Sequence, residues 1–275
     1  MTDALVSTDW LAQHLGDDGV RVADVRWYLD PARVGRDAYA AGHLPGAVYF
    51  DVDRDLSSPG GRRGGPLGRH PWPTPERIRD VMTAAGIGPD TLVVAYDDQS
   101  GATAARLWFV LRAHGHDRAA VLDGGLAKWL AEGRPLTTDV PAVAPRAFTP
   151  RLRPELLASR DELLAGVPLV LDARAPERYR GETEPVDPRA GHLPGAKSAF
   201  FAENLEGGVF RSPEALRARY AALGADAATP VVYCGSGVTA CHDLLALHRA
   251  GLSGRLYPGS WSEWSSNPEL PIETA

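Results

Sequence analysis

The heptapeptide AGHLPGA stands at residues 41–47 and again, unchanged, at 190–196. Other segments recur around it in the same order. VADVRW (22–27) precedes the first copy and VLDARA (170–175) the second, which aligns Asp24 with Asp172 and Arg26 with Arg174. Downstream, LVVAYDDQSGATAARLWFVLRAHG (92–115) parallels PVVYCGSGVTACHDLLALHRAG (230–251), and VLDGGLAKW (121–129) parallels LYPGSWSEW (256–264). Four matched segments in one order mark a tandem duplication, so each half must close its own core. The halves are predicted as residues 1–134 and 158–275. A proline-rich stretch without helical period, PLTTDVPAVAPRAFTPRLRPE, lies between them and predicts an extended linker over 135–157.

Each half alternates short apolar runs with helical patterns. RVADV, TLVVAYD and AAVLDGG read as buried strands in the first half. TPERIRDVMTAAG (74–86) has Thr74 as N-cap, Pro75 at the first helical position and Gly86 as its stop. ATAARLWFVLRAHG is a second helix, closed by Gly115. The second half repeats the order with LVLDAR, SPEALRARYAALGA, PVVYCG, GVTACHDLLALHRAG and GRLYPGS. Strands alternating with helices predict an α/β fold: two tandem domains, each a mostly parallel sheet flanked by helices.

Composition removes several function classes. With 29 basic and 35 acidic residues the formal charge is −6, so no global basic field draws nucleic acid. No apolar run approaches the roughly 18 residues that span a bilayer, so no membrane partner is expected. The start, MTDALVSTDWLAQHLGDDG, lacks a basic region followed by an apolar core, which argues against a secretory signal. Two cysteines, Cys234 and Cys241, are too few for a disulfide scaffold. A cytoplasmic protein, monomeric or weakly dimeric, is the expectation.

Cys234 ends a strand and precedes a helix that is predicted to start near Val238 or Thr239. In an open parallel sheet, ligands bind beyond the carboxyl ends of strands. Gly235 and Gly237 let the backbone turn tightly, so that successive N–H groups form an anion-binding nest beside a helix N-terminus. Such a field favours the thiolate, the nucleophilic form of cysteine. The competing reading is a buried filler residue, the commonest fate of a free cysteine. The duplication supplies an internal comparison: Asp97 occupies the matching place in the first half. A catalytic position lost from one copy explains that exchange better than packing does. Cys241, seven residues on, reads as a core residue two turns along the helix, out of disulfide reach. His43 and His192 occur once per copy, so a structural role in the GHLPGA turn is favoured over metal binding or acid–base chemistry. Trp129, Trp261 and Trp264 pack the last helix of each half or line the pocket.

CGSGVTAC, the two GHLPGA turns, LDARAPERYRGE and LDGGLAKW together resemble the two-domain rhodanese family of sulfurtransferases, over almost the whole chain. The resemblance implies an inactive amino-terminal domain and a carboxyl-terminal cysteine that carries sulfur as a persulfide. The loop CGSGVT is similar to the 3-mercaptopyruvate branch, whereas the thiosulfate branch usually carries Arg and Lys after the cysteine. The implied reaction is a double displacement. Cys234 takes sulfur from a small-molecule donor and passes it to cyanide, a small thiol or thioredoxin, with no metal or organic cofactor. Gly235, Gly237, Val238 and Thr239 would cradle the persulfide.

The resemblance also nominates a Ser–His–Asp relay of Ser236, His70 in GRHPWP and Asp53 in YFDVD, which draws on both halves of the chain. Plain alternatives are a solvated loop residue for His70 and a turn or cap acid for Asp53. Arg178 in PERYRGETEP falls on a substrate-binding arginine of the family. A second arginine is expected before the second GH, where Arg189 stands nearest. Arg180 and Arg189 can equally be surface ion-pair residues. A neutral loop suits the single carboxylate of mercaptopyruvate better than dianionic thiosulfate. Two alternatives remain: a thiosulfate:cyanide sulfurtransferase, or a non-catalytic tandem binding module. A cysteine phosphatase needs Cys-x5-Arg, and Ala240 stands where that arginine belongs.

Overall fold

The structure is a computed structural model that describes residues 4–275. It divides into two compact units. The first holds the chain up to Leu56 together with Pro73–Leu152, and the second holds Ser57–Trp72 together with Arg153–Ala275. This division differs from the one expected at 134 and 158 in two ways. Residues 135–152 pack on the first unit: Thr137 bridges His43, Phe148 is buried, and the Arg151 N–H donates to the His114 carbonyl. Residues 57–72, which the sequence places inside the first half, belong by packing to the second unit. They contain no apolar run that would have betrayed this.

The first unit contains β1 (Leu5–Val6), α1 (Thr8–His14), β2 (Val20–Asp24), α2 (Gly35–Ala41), β3 (Val48–Tyr49), α3 (Pro75–Ala84), β4 (Leu92–Tyr96), α4 (Ala104–Ala113), β5 (Ala119–Leu122) and α5 (Gly125–Ala131). Its strands form one sheet in the order β1-β5-β4-β2-β3, with every pairing parallel. β4 is buried along its whole length, as a central parallel strand requires. Thr74 caps α3 through its hydroxyl, which accepts the Arg77 N–H, and Pro75 opens the helix. Leu11, Val94, Leu122 and Trp129 are among the side chains of the core. Trp129 sits in that core and donates its indole N–H to the Pro135 carbonyl.

The second unit contains α6 (Arg160–Ala165), β6 (Val170–Asp172), α7 (Pro176–Tyr179), β7 (Lys197–Ser198), the hairpin β8 (Leu205–Glu206) and β9 (Val209–Phe210), α8 (Pro213–Leu223), β10 (Val231–Tyr233), α9 (Ala240–Arg249), β11 (Arg255–Leu256) and α10 (Ser260–Trp264). The order β11-β10-β6-β7 is again parallel throughout. Tyr233, Tyr257, Trp261 and Trp264 dominate its core. No helix among the described residues is long and apolar enough to cross a membrane.

The repeated motifs meet around the same brace in each unit. The Asp24 carboxylate accepts from Arg26 at 2.6 Å and from the Tyr96 hydroxyl at 2.6 Å; Arg26 also reaches the Gly42 carbonyl, and Tyr96 accepts the Leu44 N–H. Asp172, Arg174, Gly191, Tyr233 and Leu193 repeat the arrangement, with Arg174 2.6 Å from Asp172. A buried ion pair holds only when its remaining donors and acceptors are met, and the GHLPGA turn meets them. His43 stacks on Tyr39 at 3.8 Å and His192 on Tyr179 at 4.0 Å, each with Nδ1 against that tyrosine's carbonyl. Both histidines are structural parts of the turn.

Candidate active site

Cys234 follows β10 directly and is 1% exposed. Its peptide is held on both sides by the first turn of α10. The Cys234 N–H donates to Ser260 Oγ at 3.2 Å, and its carbonyl accepts the Trp261 N–H at 2.9 Å. The Gly235 carbonyl accepts the Ser262 N–H at 2.9 Å. With both carbonyls tied back to α10, the loop that follows turns at Gly237, where φ is +73°, and enters α9 after Thr239. Among the described residues, the N–H groups of Gly235, Ser236, Val238 and Thr239 find no backbone acceptor. α9 begins at Ala240, so Cys241 lies at its start rather than two turns along; it is buried, with its Sγ donating to the Gly237 carbonyl at 3.3 Å.

The matching loop of the first unit shows what such a turn accepts. The Asp97 carboxylate takes the backbone N–H groups of Gln99 (2.8 Å), Gly101 (2.9 Å), Thr103 (2.7 Å) and Ala104 (2.8 Å), and the Thr103 hydroxyl at 3.0 Å. That copy is an anion cradle filled by its own side chain. Thr103 precedes α4 as Thr239 precedes α9. Asp97 and Cys234 are also docked alike, since the Asp97 carbonyl accepts the Leu126 N–H at 2.8 Å.

Ser236 and His70 come together within the second unit. His70 Nδ1 lies 2.8 Å from Ser236 Oγ, both residues are buried, and the direction of the bond follows the histidine tautomer. Asp53 belongs to the first unit, where its carboxylate accepts the Trp27 indole N–H at 2.8 Å.

Of the three arginines, Arg189 is placed differently from expectation. Arg178 lies beside the loop: its guanidinium is 3.5 Å from the point a Cβ on Gly235 would occupy, and it is paired with Glu184 at 2.7 Å. Arg189 does not reach out for substrate. Its guanidinium is spent on backbone carbonyls after α10, those of Ser265 (3.0 Å), Trp264 (3.2 Å), Leu270 (3.0 Å), Pro268 and Asn267. Arg189 is a clamp on the chain end, not a substrate arginine, because its donors are already committed. Arg180 is an exposed ion-pair partner of Glu182.

Arg69 is the residue that sequence reasoning missed, although it adjoins His70 in GRHPWP. Its Nη1 contacts both oxygens of Asp187 at 3.0 Å, and its Nη2 is 2.6 Å from the Gly235 Cβ position. Burial pushes the Arg69 guanidinium down, opposed by Asp187 and by the neighbouring Cys234. Burial likewise holds the Asp187 carboxyl above its usual range despite Arg69. Glu184 and Asp187 lie in the stretch GETEPVDP, which gives no sign that two acids there orient two arginines. Among the described residues no group of three or more His, Cys, Asp or Glu is placed to hold a metal ion.

A model of the rhodanese-like domain matches residues 7–132 and again 155–267. The chain belongs to the rhodanese-like family. A probable 3-mercaptopyruvate sulfurtransferase of Pseudomonas aeruginosa is 44% identical over 279 residues, covering 98% of each chain. A putative thiosulfate sulfurtransferase of Mycobacterium tuberculosis is 41% identical over 93% of this chain and 91% of its own. The crystal structure of Escherichia coli SseA, described under the rhodanese fold and 3-mercaptopyruvate sulfotransferases, superposes with a TM-score of 0.84 at 30% identity, covering 94% of this chain and 99% of that one. The rhodanese-like relatives thus carry both donor names. The duplicated motifs of this chain are the two copies of its rhodanese-like domain.

Proposed function

We propose that this rhodanese-like protein is a sulfurtransferase that takes sulfur from 3-mercaptopyruvate onto Cys234 and passes it to a thiophilic acceptor. The observation that carries the reading is the 2.8 Å contact between His70 and Ser236, two residues beyond the nucleophile. The Cys234 thiolate attacks the donor sulfur, the carbon–sulfur bond breaks, and its electron pair leaves on the enolate of pyruvate. The enolate needs a proton. Ser236 delivers it and His70 replaces it, so that the proton lost by the Cys234 thiol ends on pyruvate. The persulfide sits against the N–H groups of Gly235, Gly237, Val238 and Thr239, as the Asp97 carboxylate sits in the first unit's loop. Asp53 enters this scheme as the relay acid only by what the family resemblance implies.

The outer sulfur then passes to cyanide, a small thiol or thioredoxin, in a cytoplasmic protein that works as a monomer or weak dimer. Thiosulfate is the second donor to consider, since relatives named for it match as much of the chain. Single-turnover persulfide formation with each donor separates the two. The proposal expects 3-mercaptopyruvate to react faster by at least about tenfold, the discrimination that one well-placed proton donor supplies. Thiosulfate faster by the same margin overturns the donor assignment.

A further inference from the structure

Arg69 carries more donors than the protein satisfies. Its side chain is nine-tenths buried, its Nη1 is committed to Asp187, and its buried Nε has no acceptor. Among the described residues the Nη2 makes no hydrogen bond, and it points at the open side of Gly235. Gly235 is a glycine for this reason, since a Cβ would come within 2.6 Å of that nitrogen. Arg178 ends at the same place, with Nη1 and Nη2 at 3.5 and 3.7 Å from the same point. Two guanidinium forks therefore face one space beside the nucleophile, held by buried Asp187 and Glu184.

The backbone fixes this placement. The Arg69 N–H donates to Ser262 Oγ at 3.1 Å, and Gly68, at φ +71°, passes so close that a Cβ would meet Ser262 Oγ at 2.8 Å. The turn of α10 that anchors Arg69 is the turn whose N–H groups donate to the carbonyls of Cys234 and Gly235. One short helix thus sets the distance between the cation and the sulfur.

We propose that Arg69 and Arg178 together hold the oxyanion of the sulfur donor beside Cys234, so that Arg69 is a specificity-determining residue. The inference rests on the sulfurtransferase reading. It also corrects the argument from a neutral loop, because the cation missing after Cys234 in the sequence arrives from residues 57–72. A carboxylate or the sulfonate end of thiosulfate presents two oxygens to such forks. With thiosulfate, the thiolate takes the outer sulfur, the sulfur–sulfur bond breaks, and its electron pair leaves on sulfite.

The test uses Arg69→Gln and Arg69→Lys in the full chain, with persulfide formation measured against donor concentration. Arg69→Gln is expected to raise the half-saturating concentration at least about tenfold, the usual loss for a charge-assisted bond, with Arg69→Lys between it and wild type. Alkylation of Cys234 by uncharged iodoacetamide supplies a readout that a merely structural role does not move. Scaled to its rate without anion in the same protein, it is slowed by pyruvate or sulfite in wild type and not in Arg69→Gln. Loss with 3-mercaptopyruvate alone assigns Arg69 to the carboxylate, and loss with thiosulfate alone to the sulfonate. Wild-type saturation and undiminished anion protection in Arg69→Gln overturn the proposal. Failure of wild type to form any persulfide overturns the sulfurtransferase reading instead, and the protection assay still reports on Arg69.

Discussion

Ser260 Oγ accepts the backbone N–H of Cys234 at 3.2 Å, from a residue whose φ is +53°. The first unit has Gly125 in that place, at φ +54°, and a Cβ there would lie 2.6 Å from the Asp97 carbonyl. A left-handed conformation costs a non-glycine residue about 1–2 kcal/mol. The copy with the cysteine bears this strain and the copy with the aspartate avoids it. Ser260 also donates to the Tyr257 carbonyl at 2.9 Å, which leaves the hydroxyl oxygen aimed at Cys234.

Ser260→Gly should therefore separate stability from rate. Relief of strain offsets the lost hydrogen bonds, so urea unfolding should stay within about 1 kcal/mol of wild type. Persulfide formation should slow by about tenfold or more, because the nucleophile's peptide is no longer fixed. Ser260→Ala keeps the strain and should lose both.

Asp97→Ala should weaken the first unit. Four backbone N–H groups lose a buried acceptor, at a net cost of about 2–4 kcal/mol after water recovers part of it. Amide hydrogen exchange at Thr103 and Ala104 should accelerate first. Unchanged exchange at those two amides would contradict the cradle.

Ser236→Ala should discriminate between donors. Loss of the proton path should slow the 3-mercaptopyruvate reaction by about 100-fold, whereas sulfite leaves without a proton and thiosulfate should change by less than about threefold. His70→Asn should follow the same pattern. Equal losses for the two donors would remove the relay from the mechanism.

Asp243, on α9, supplies a pH dependence. Burial raises its carboxyl to about 7 against an ordinary 3.8, opposed by Arg219, by Asn204, whose amide donates at 2.7 Å, and by Tyr220. An acid whose folded pKa is raised favours folding while protonated. Its contribution is full below about pH 4 and is lost as pH rises through about 7. Urea unfolding of wild type should lose stability across that interval, and Asp243→Asn should flatten the slope.

The duplication and the parallel sheets were legible, because repeated text and buried apolar strands are local signals. Thr74 caps its helix where the sequence puts it. Ser236 and His70 were nominated by resemblance, and they meet at 2.8 Å. What escaped depends on long-range packing. Residues 57–72 carry Arg69 into the second unit with no apolar period to announce it. Arg189 looked available because nothing local shows that five carbonyls converge on it. Ser260 closes the segment GRLYPGS and gives no sign of its role until its φ and its partner are known.

The sulfurtransferase reading stands on Cys234 carrying transferred sulfur. Intact-mass spectrometry of the reduced chain after exposure to 3-mercaptopyruvate tests it directly. Wild type should gain about 32 Da, one sulfur atom, and lose it on adding cyanide, and Cys234→Ser should gain nothing. No adduct on wild type, or the same adduct on Cys234→Ser, would contradict it.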